Sequence, residues 1–268
     1  MNTALTKSNL QAIAAADLGG QYLLARILGI WASVALPMGL IRWVVGPIVI
    51  PRVDMEPGFL YLILITLGLV WQGVVAYLIL RREVKPFTWE NIKDRVWLQT
   101  PTNPKTGVPS NWLFLWTIPL IGVIEVGSQV LDPLNGPWVK ALPFLAPPPY
   151  TVIQNLAEPA VGQWWLLGLL AVIIVFNFLV GEELIFRGIL LPKMNGVFGK
   201  WDFIANAILF MAYHLHLAWQ WPSMLLYNWI RPWATKRFKS YWVALLLHGF
   251  FDSVVLIVLF TMAIMGLS

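Results

Sequence analysis

No cysteine occurs in the chain, and only 12% of its residues are charged. Without cysteine there can be no disulfide, no thiolate nucleophile and no zinc–thiolate site, although the compartment stays open. A soluble domain carries about 25% charged residues, so half that share leaves no room for a second, soluble domain of normal size. Histidine is scarce too: His214, His216 and His248 are the only three. The chain has no His-Glu-x-x-His pair, no phosphate-binding glycine loop and no dinucleotide fingerprint. Strict alternation of polar and apolar residues is also absent, which argues against a membrane β-barrel.

What remains is apolar. Of the 268 residues, 59% are hydrophobic, and several continuous runs approach the ~20 residues that span hydrocarbon as a helix. The expected fold is all-α, a polytopic transmembrane helix bundle of about 7–8 spans, forming a single integral-membrane domain over 1–268. Sixteen tryptophans suit aromatic belts at the membrane interfaces. A net charge of +5 fits basic cytoplasmic loops on a protein surrounded by lipid bilayer rather than a nucleic-acid partner.

In order, residues 1–20 read as a cytoplasmic lead-in whose apolar part is too short for a signal-peptide core. Spans are expected over 21–50, 58–80, 112–131, 162–190 and 202–218. A short apolar piece, 219–230, precedes one long or broken final stretch, 240–267. Pro37 and Gly46-Pro47 are expected to kink or end helix segments in the first span. Loop 81–111 carries six basic residues, 187–200 three and 231–239 four, against one each in 51–57 and 132–161. Positive charge marks the cytoplasmic side, so the N-terminus is expected inside, in a bacterial-type cell membrane.

Ionisable groups inside apolar runs are costly and mark candidate functional sites. Glu182 and Glu183 end the run that begins near Trp164. Neighbouring helix positions point about 100° apart, so the two carboxylates serve different roles. Glu183 and Arg187, at i,i+4, can pair along one face, which leaves Glu182 free to face a cavity. Burial tunes such a carboxylate toward general-base work near neutral pH. The plainer alternative is an interfacial charge cluster that closes the helix. Phe210 and His214 share a face by the same spacing, whereas His216 reads as an interior packing residue. His248 and Asp252, again at i,i+4, suggest a hydrogen-bonded pair that either ties helices together or stabilises an oxyanion. Glu125 and Asn177 are weaker candidates, as packing or substrate-cavity groups.

Three stretches taken in order carry a resemblance: Glu182-Glu183-Leu184-Ile185-Phe186-Arg187, Phe210 to His214, and His248 to Asp252. They resemble the CPBP family of intramembrane proteins, the CAAX proteases and bacteriocin-processing enzymes, also called the Abi family. Its pattern is Glu-Glu-x-x-x-Arg, then Phe-x-x-x-His, then His-x-x-x-Asn/Asp. The resemblance places a catalytic core at about 162–267 and implies a metal-independent glutamate endopeptidase. Glu182 would be the general base, with His214 orienting the same water or relaying protons. His248 and Asp252 would stabilise the oxyanion, and Glu183, Arg187 and Phe210 would support the site. It implies no cofactor and no metal. The implied substrate is a membrane-associated protein or peptide, possibly lipidated, reached from the cytoplasmic side. Where prenyl endopeptidases of the family carry Asn, this chain carries Asp252, and an ionised Asp cannot donate to an oxyanion.

Three other readings use the same residues. One is a metal-dependent protease with Glu182, His214, His248 and Asp252 as ligands. Another is a non-catalytic membrane immunity or scaffold protein of the same fold. The third is a proton-coupled transporter, against which the lack of an internal repeat argues.

Overall fold

The structure, a computed structural model, describes residues 20–267. Of the expected lead-in, residues 1–19 lie outside the described residues. Helix is the only regular element formed among those described, and its sole relative is an isolated antiparallel bridge between Thr102 and Pro109. Five helices are long and apolar enough to cross a membrane: α1 (Leu24–Arg52), α2 (Pro57–Glu83), α4 (Asn111–Ala141), α5 (Trp165–Lys193) and α9 (Tyr241–Ile264). The short helices α3 (Trp89–Arg95), α6 (Asp202–Tyr213), α7 (Trp221–Tyr227) and α8 (Ile230–Phe238) fill the intervals. The expected fifth span stops at Tyr213. Twelve residues rise only about 18 Å, well short of a ~30 Å hydrocarbon core.

Proline explains the irregularity of α1. Pro47 brings no N–H to the Trp43 carbonyl, and the turn before it widens, with the Gly46 N–H reaching back to the Ile41 carbonyl. Helix α2 starts on Pro57, where a missing N–H is harmless, and ends on Arg81 and Arg82, cations suited to a helix C-terminus. The following loop is not simply a solvated basic stretch. Thr88 caps α3, and Arg95 binds Glu83 at 2.8 Å and the Gly188 and Ile189 carbonyls at 3.2 and 3.1 Å. Tyr22 and Arg26 also bond to Glu83. This network fastens the start of α1, the end of α2 and α3 to the second half of α5.

Helices α5 and α9 are the most enclosed, with 39% of their apolar windows buried, against 11% for the peripheral α4. Ile27, Val34 and Met38 of α1, Leu69, Ala76 and Leu80 of α2, and Ile185, Phe186 and Ile189 of α5 form one core with Phe210 and Tyr213 of α6. On α9, Val254, Ile257, Val258 and Leu259 stay substantially exposed, which is the surface a bilayer would cover. The helices that bear the three motifs therefore sit at the centre of the bundle.

Both central helices are irregular where their motifs lie. Helix α5 breaks at Val180–Gly181, between widened turns at Val175–Leu179 and Leu184–Leu190, and α9 widens at Leu245–Phe250. Such i→i+5 turns re-aim side chains and concentrate at functional sites. A Cβ at Gly181 would collide with the Phe176 carbonyl, and one at Gly249 would press on Phe178. The two glycines let the break form and let α9 approach α5.

Candidate active site

Glu182 follows the break in α5 and is 3% exposed. Its Oε1 accepts a hydrogen bond from the Tyr213 hydroxyl at 2.9 Å, and that hydroxyl accepts one from Gln72 Nε2 at 2.6 Å. The Asn177 amide, turned so that its nitrogen faces the carboxylate as the neighbouring acceptors require, donates to Oε1 at 2.8 Å and Oε2 at 3.1 Å. Gln72, Tyr213 and Asn177 thus hold the carboxylate in one orientation.

His214 is the residue at which α6 ends. Its φ of −74° and ψ of 49° leave the helical region, which turns its ring and that of Tyr213 toward the same carboxylate. His214 Nδ1 lies 2.7 Å from the Phe210 carbonyl. A carbonyl only accepts, so Nδ1 carries a proton, and the other ring nitrogen of the neutral ring is an acceptor. That nitrogen, Nε2, lies 3.8 Å from Glu182 Oε2. The separation is too long for a direct hydrogen bond, and it leaves two acceptors facing one small space.

Glu183 points the other way, as adjacent helix positions should. It is fully buried, and its Oε1 is 2.8 Å from His248 Nδ1 and 3.6 Å from Arg187 Nη1. Its closest partner is therefore His248 rather than Arg187. The expected His248–Asp252 hydrogen bond does not form: His248 Nε2 lies 3.8 Å from Asp252 Oδ2. The widened turn at 245–250 commits Nδ1 to Glu183 across the helix interface and leaves Nε2 facing Asp252 at a distance.

Phe210 is the shared floor. The Arg187 guanidinium stacks 3.9 Å above its ring, a cation–π contact that gains strength where water is excluded. The rings of His214 and His248 meet Phe210 edge-on at 4.6 and 5.8 Å. Arg187 is 0% exposed, and none of its guanidinium nitrogens has a hydrogen-bond partner among the described residues. The ring and the Glu183 carboxylate are what hold it.

Glu182, His214 and His248 line one cavity of about 540 Å³. Asp252, 32% exposed at its side chain, lines it too. So do Glu125, Asn177, His216, Asn228 and Arg231, with apolar walls from Leu62, Leu217, Val255 and Leu256. His216 stacks on His214 with centroids 5.3 Å apart. Arg231, counted in the sequence as one of four loop cations, is 7% exposed and turned inward. Among the described residues, no group of three or more His, Asp and Glu side chains converges closely enough to hold a metal ion. The geometry offers a fixed buried carboxylate beside an imidazole acceptor, with a buried ionic pair and a second imidazole packed on Phe210.

Residues 162–254 match the family model described as type II CAAX prenyl endopeptidase Rce1-like. The match spans all three motifs and leaves 1–161 unmatched, and it bears out the resemblance to the CPBP family. Comparisons with curated proteins and with solved structures gave no match.

Proposed function

With the Rce1-like match as premise, we propose that the protein is an intramembrane, metal-independent endopeptidase of the CAAX-protease type, with Glu182 as general base. The observation that carries the reading is the pair of acceptors, Glu182 Oε2 and His214 Nε2, 3.8 Å apart at the wall of the cavity. A water donating one hydrogen to each would be held with its lone pair toward a substrate carbonyl. Separations near 4 Å suit two partners bridged by one water with hydrogen bonds of about 2.8 Å. As the water oxygen bonds the carbonyl carbon, its proton passes to Glu182 and the carbonyl electrons move onto oxygen. The C–N bond then breaks, and the proton passes through Glu182 and His214 to the leaving amine. The products are a carboxylate and an amine, with no covalent enzyme intermediate.

The rest of the network serves that step. Tyr213 and Asn177 keep Glu182 aimed. Phe210 fixes the His214 tautomer through its carbonyl and packs against both imidazoles through its ring. Glu183 and Arg187 hold His248. The substrate is a membrane-associated protein or peptide, with a prenylated C-terminus as the class to try first. The catalytic core is 162–267 within one integral-membrane domain, and α6, α7 and α8 act as partial crossings that bring the membrane segments to seven or eight. Lys193, Lys200 and Lys236 lie at one end of the site-bearing helices, roughly 17 Å beyond Glu182 along α5 at helical rise. This supports an inside N-terminus. The cavity, lined by Leu62, Ile173, Asn177, Val255 and Leu256, extends from Glu182 and His248 away from that basic end rather than toward it as expected for a cytoplasmic opening.

The test is turnover of a quenched fluorescent farnesylated CAAX peptide by the full chain in detergent. Glu182→Gln keeps the shape and the hydrogen bonds to Oε1 but removes the base. It is expected to slow turnover by about 10²–10⁴-fold with the fold intact. Wild-type turnover in Glu182→Gln would remove Glu182 as the base, and absence of turnover by the wild-type chain would favour an immunity or scaffold role.

A further inference from the structure

The expected oxyanion pair presents a difficulty of donors. His248 gives its Nδ1 to Glu183 at 2.8 Å, so in the neutral ring its Nε2, the atom nearer Asp252, is an acceptor. Asp252, as a carboxylate, also only accepts. Two acceptors 3.8 Å apart offer nothing to the negative oxygen of a tetrahedral intermediate. The side chain beside them that can only donate is Arg231. Its Nη2 lies 4.0 Å from Asp252 Oδ2, beyond hydrogen-bond distance, and makes no hydrogen bond among the described residues. The rest of the guanidinium is fixed, with Nη1 donating to Asn228 Oδ1 at 3.1 Å and Nε to the Leu247 carbonyl at 3.4 Å. Arg231 is 7% exposed and lines the same cavity as Glu182, and the acidic groups Glu125 and Asp252 line it as well.

We propose that Arg231 is the oxyanion donor of this site, with Nη2 taking the developing negative oxygen of the substrate carbonyl and Asp252 orienting the guanidinium. The inference rests on the hydrolase reading above. A guanidinium anchored on two sides, with one amino group left toward the cavity, is preorganised for a charge that appears only in the transition state. A charge-assisted N–H···O⁻ bond forms at about 2.7–2.9 Å, so Nη2, held near Asp252 at 4.0 Å without a bond to it, can take a substrate oxygen with a small shift. Position 252 then has no need to donate, which reconciles its Asp with hydrolysis.

The experiment compares wild type, Arg231→Gln, Arg231→Lys, Asp252→Asn and Arg231→Gln/Asp252→Asn in the farnesylated CAAX peptide assay. It also measures binding of a phosphinic analogue of that peptide, whose phosphinate carries tetrahedral anionic oxygens. Arg231→Gln is expected to lower kcat about 100-fold or more with KM nearly unchanged, and to weaken the phosphinic analogue by a similar factor while substrate binding holds. Asp252→Asn alone costs less, and in the Arg231→Gln background it restores part of the rate because an amide N–H now faces the cavity. Arg231→Lys keeps the charge without the fork and falls between; it replaces Arg231→Gln in the comparison if loss of the Asn228 and Leu247 contacts unfolds that variant. If wild type cleaves the peptide and Arg231→Gln and Arg231→Lys match it, the inference falls and the hydrolase reading stands. If wild type cleaves nothing but binds the phosphinic analogue through Arg231, the anion site stands and the hydrolase reading falls. If neither cleavage nor Arg231-dependent binding occurs, both fall.

Discussion

Neutralising Glu183 tests how the buried ionic pair supports the fold. Glu183 and Arg187 are both 0% exposed, 3.6 Å apart, and no nitrogen of Arg187 has another hydrogen-bond partner among the described residues. Glu183→Gln keeps the shape and leaves His248 an amide oxygen to bond, but it removes the one charge that, among the described residues, pairs with the Arg187 guanidinium at close range. Breaking one side of a buried pair costs about 3–5 kcal/mol, because the remaining charge stays desolvated. For a chain of this size each kcal/mol moves the midpoint by about 2–4 °C, so the apparent Tm in detergent should fall by roughly 6–20 °C. Adding Arg187→Met removes the orphaned cation and leaves an apolar side chain on Phe210. Replacement of a whole buried pair by apolar groups is often neutral, so the double variant should recover most of the lost Tm. It should not recover turnover, since His248 would still lack its carboxylate. Differential scanning fluorimetry on the purified chain reads the first effect and the peptide assay the second. A single variant within about 0.5 kcal/mol of wild type, the range of ordinary surface changes, or a double variant no more stable than the single, would refute the account.

Tyr213→Phe removes the hydroxyl between Gln72 and Glu182; turnover should fall about 10-fold or more, the scale of one hydrogen bond to a charged group, with monodispersity unchanged on size exclusion. Gly181→Ala places a Cβ against the Phe176 carbonyl and should lower stability by about 1–3 kcal/mol, read as a fall in apparent Tm. Dialysis of active protein against a strong chelator should leave turnover unchanged; loss of activity restored by zinc would revive the metal-dependent reading.

The three polar motifs were legible because charge in an apolar run stands out at once. Their partners were less so. A periodicity argument assumes an unbroken 3.6-residue helix, and α5 and α9 depart from it at the residues that matter. On a regular helix Tyr213 would point about 100° away from His214; the end of α6 lets both reach Glu182. The i,i+4 rule paired His248 with Asp252 and Glu183 with Arg187, whereas the widened turn at 245–250 and the close approach at Gly249 give His248 to Glu183. Arg231 looked like one more loop cation because Ile230–Phe238 is too short and too basic to read as a membrane segment. Asn177 was visible as a polar residue in an apolar run, but the break at Val180–Gly181 that brings it onto Glu182 has no periodic trace.

The contacts of Phe210 have a consequence for anyone altering this protein. One ring supports a guanidinium and two imidazoles, and its carbonyl sets the tautomer of one of them. Substitutions at 187, 210, 214 and 248 therefore share a partner, and their effects will not add. Stepwise evolution through these positions would meet strong epistasis, with each change judged against a floor that the previous one has tilted. Leu62, Leu217, Val255 and Leu256 form cavity wall without entering that arrangement. On the hydrolase reading proposed above, they are where the range of accepted guests would drift, or be redesigned, while the polar groups stay still.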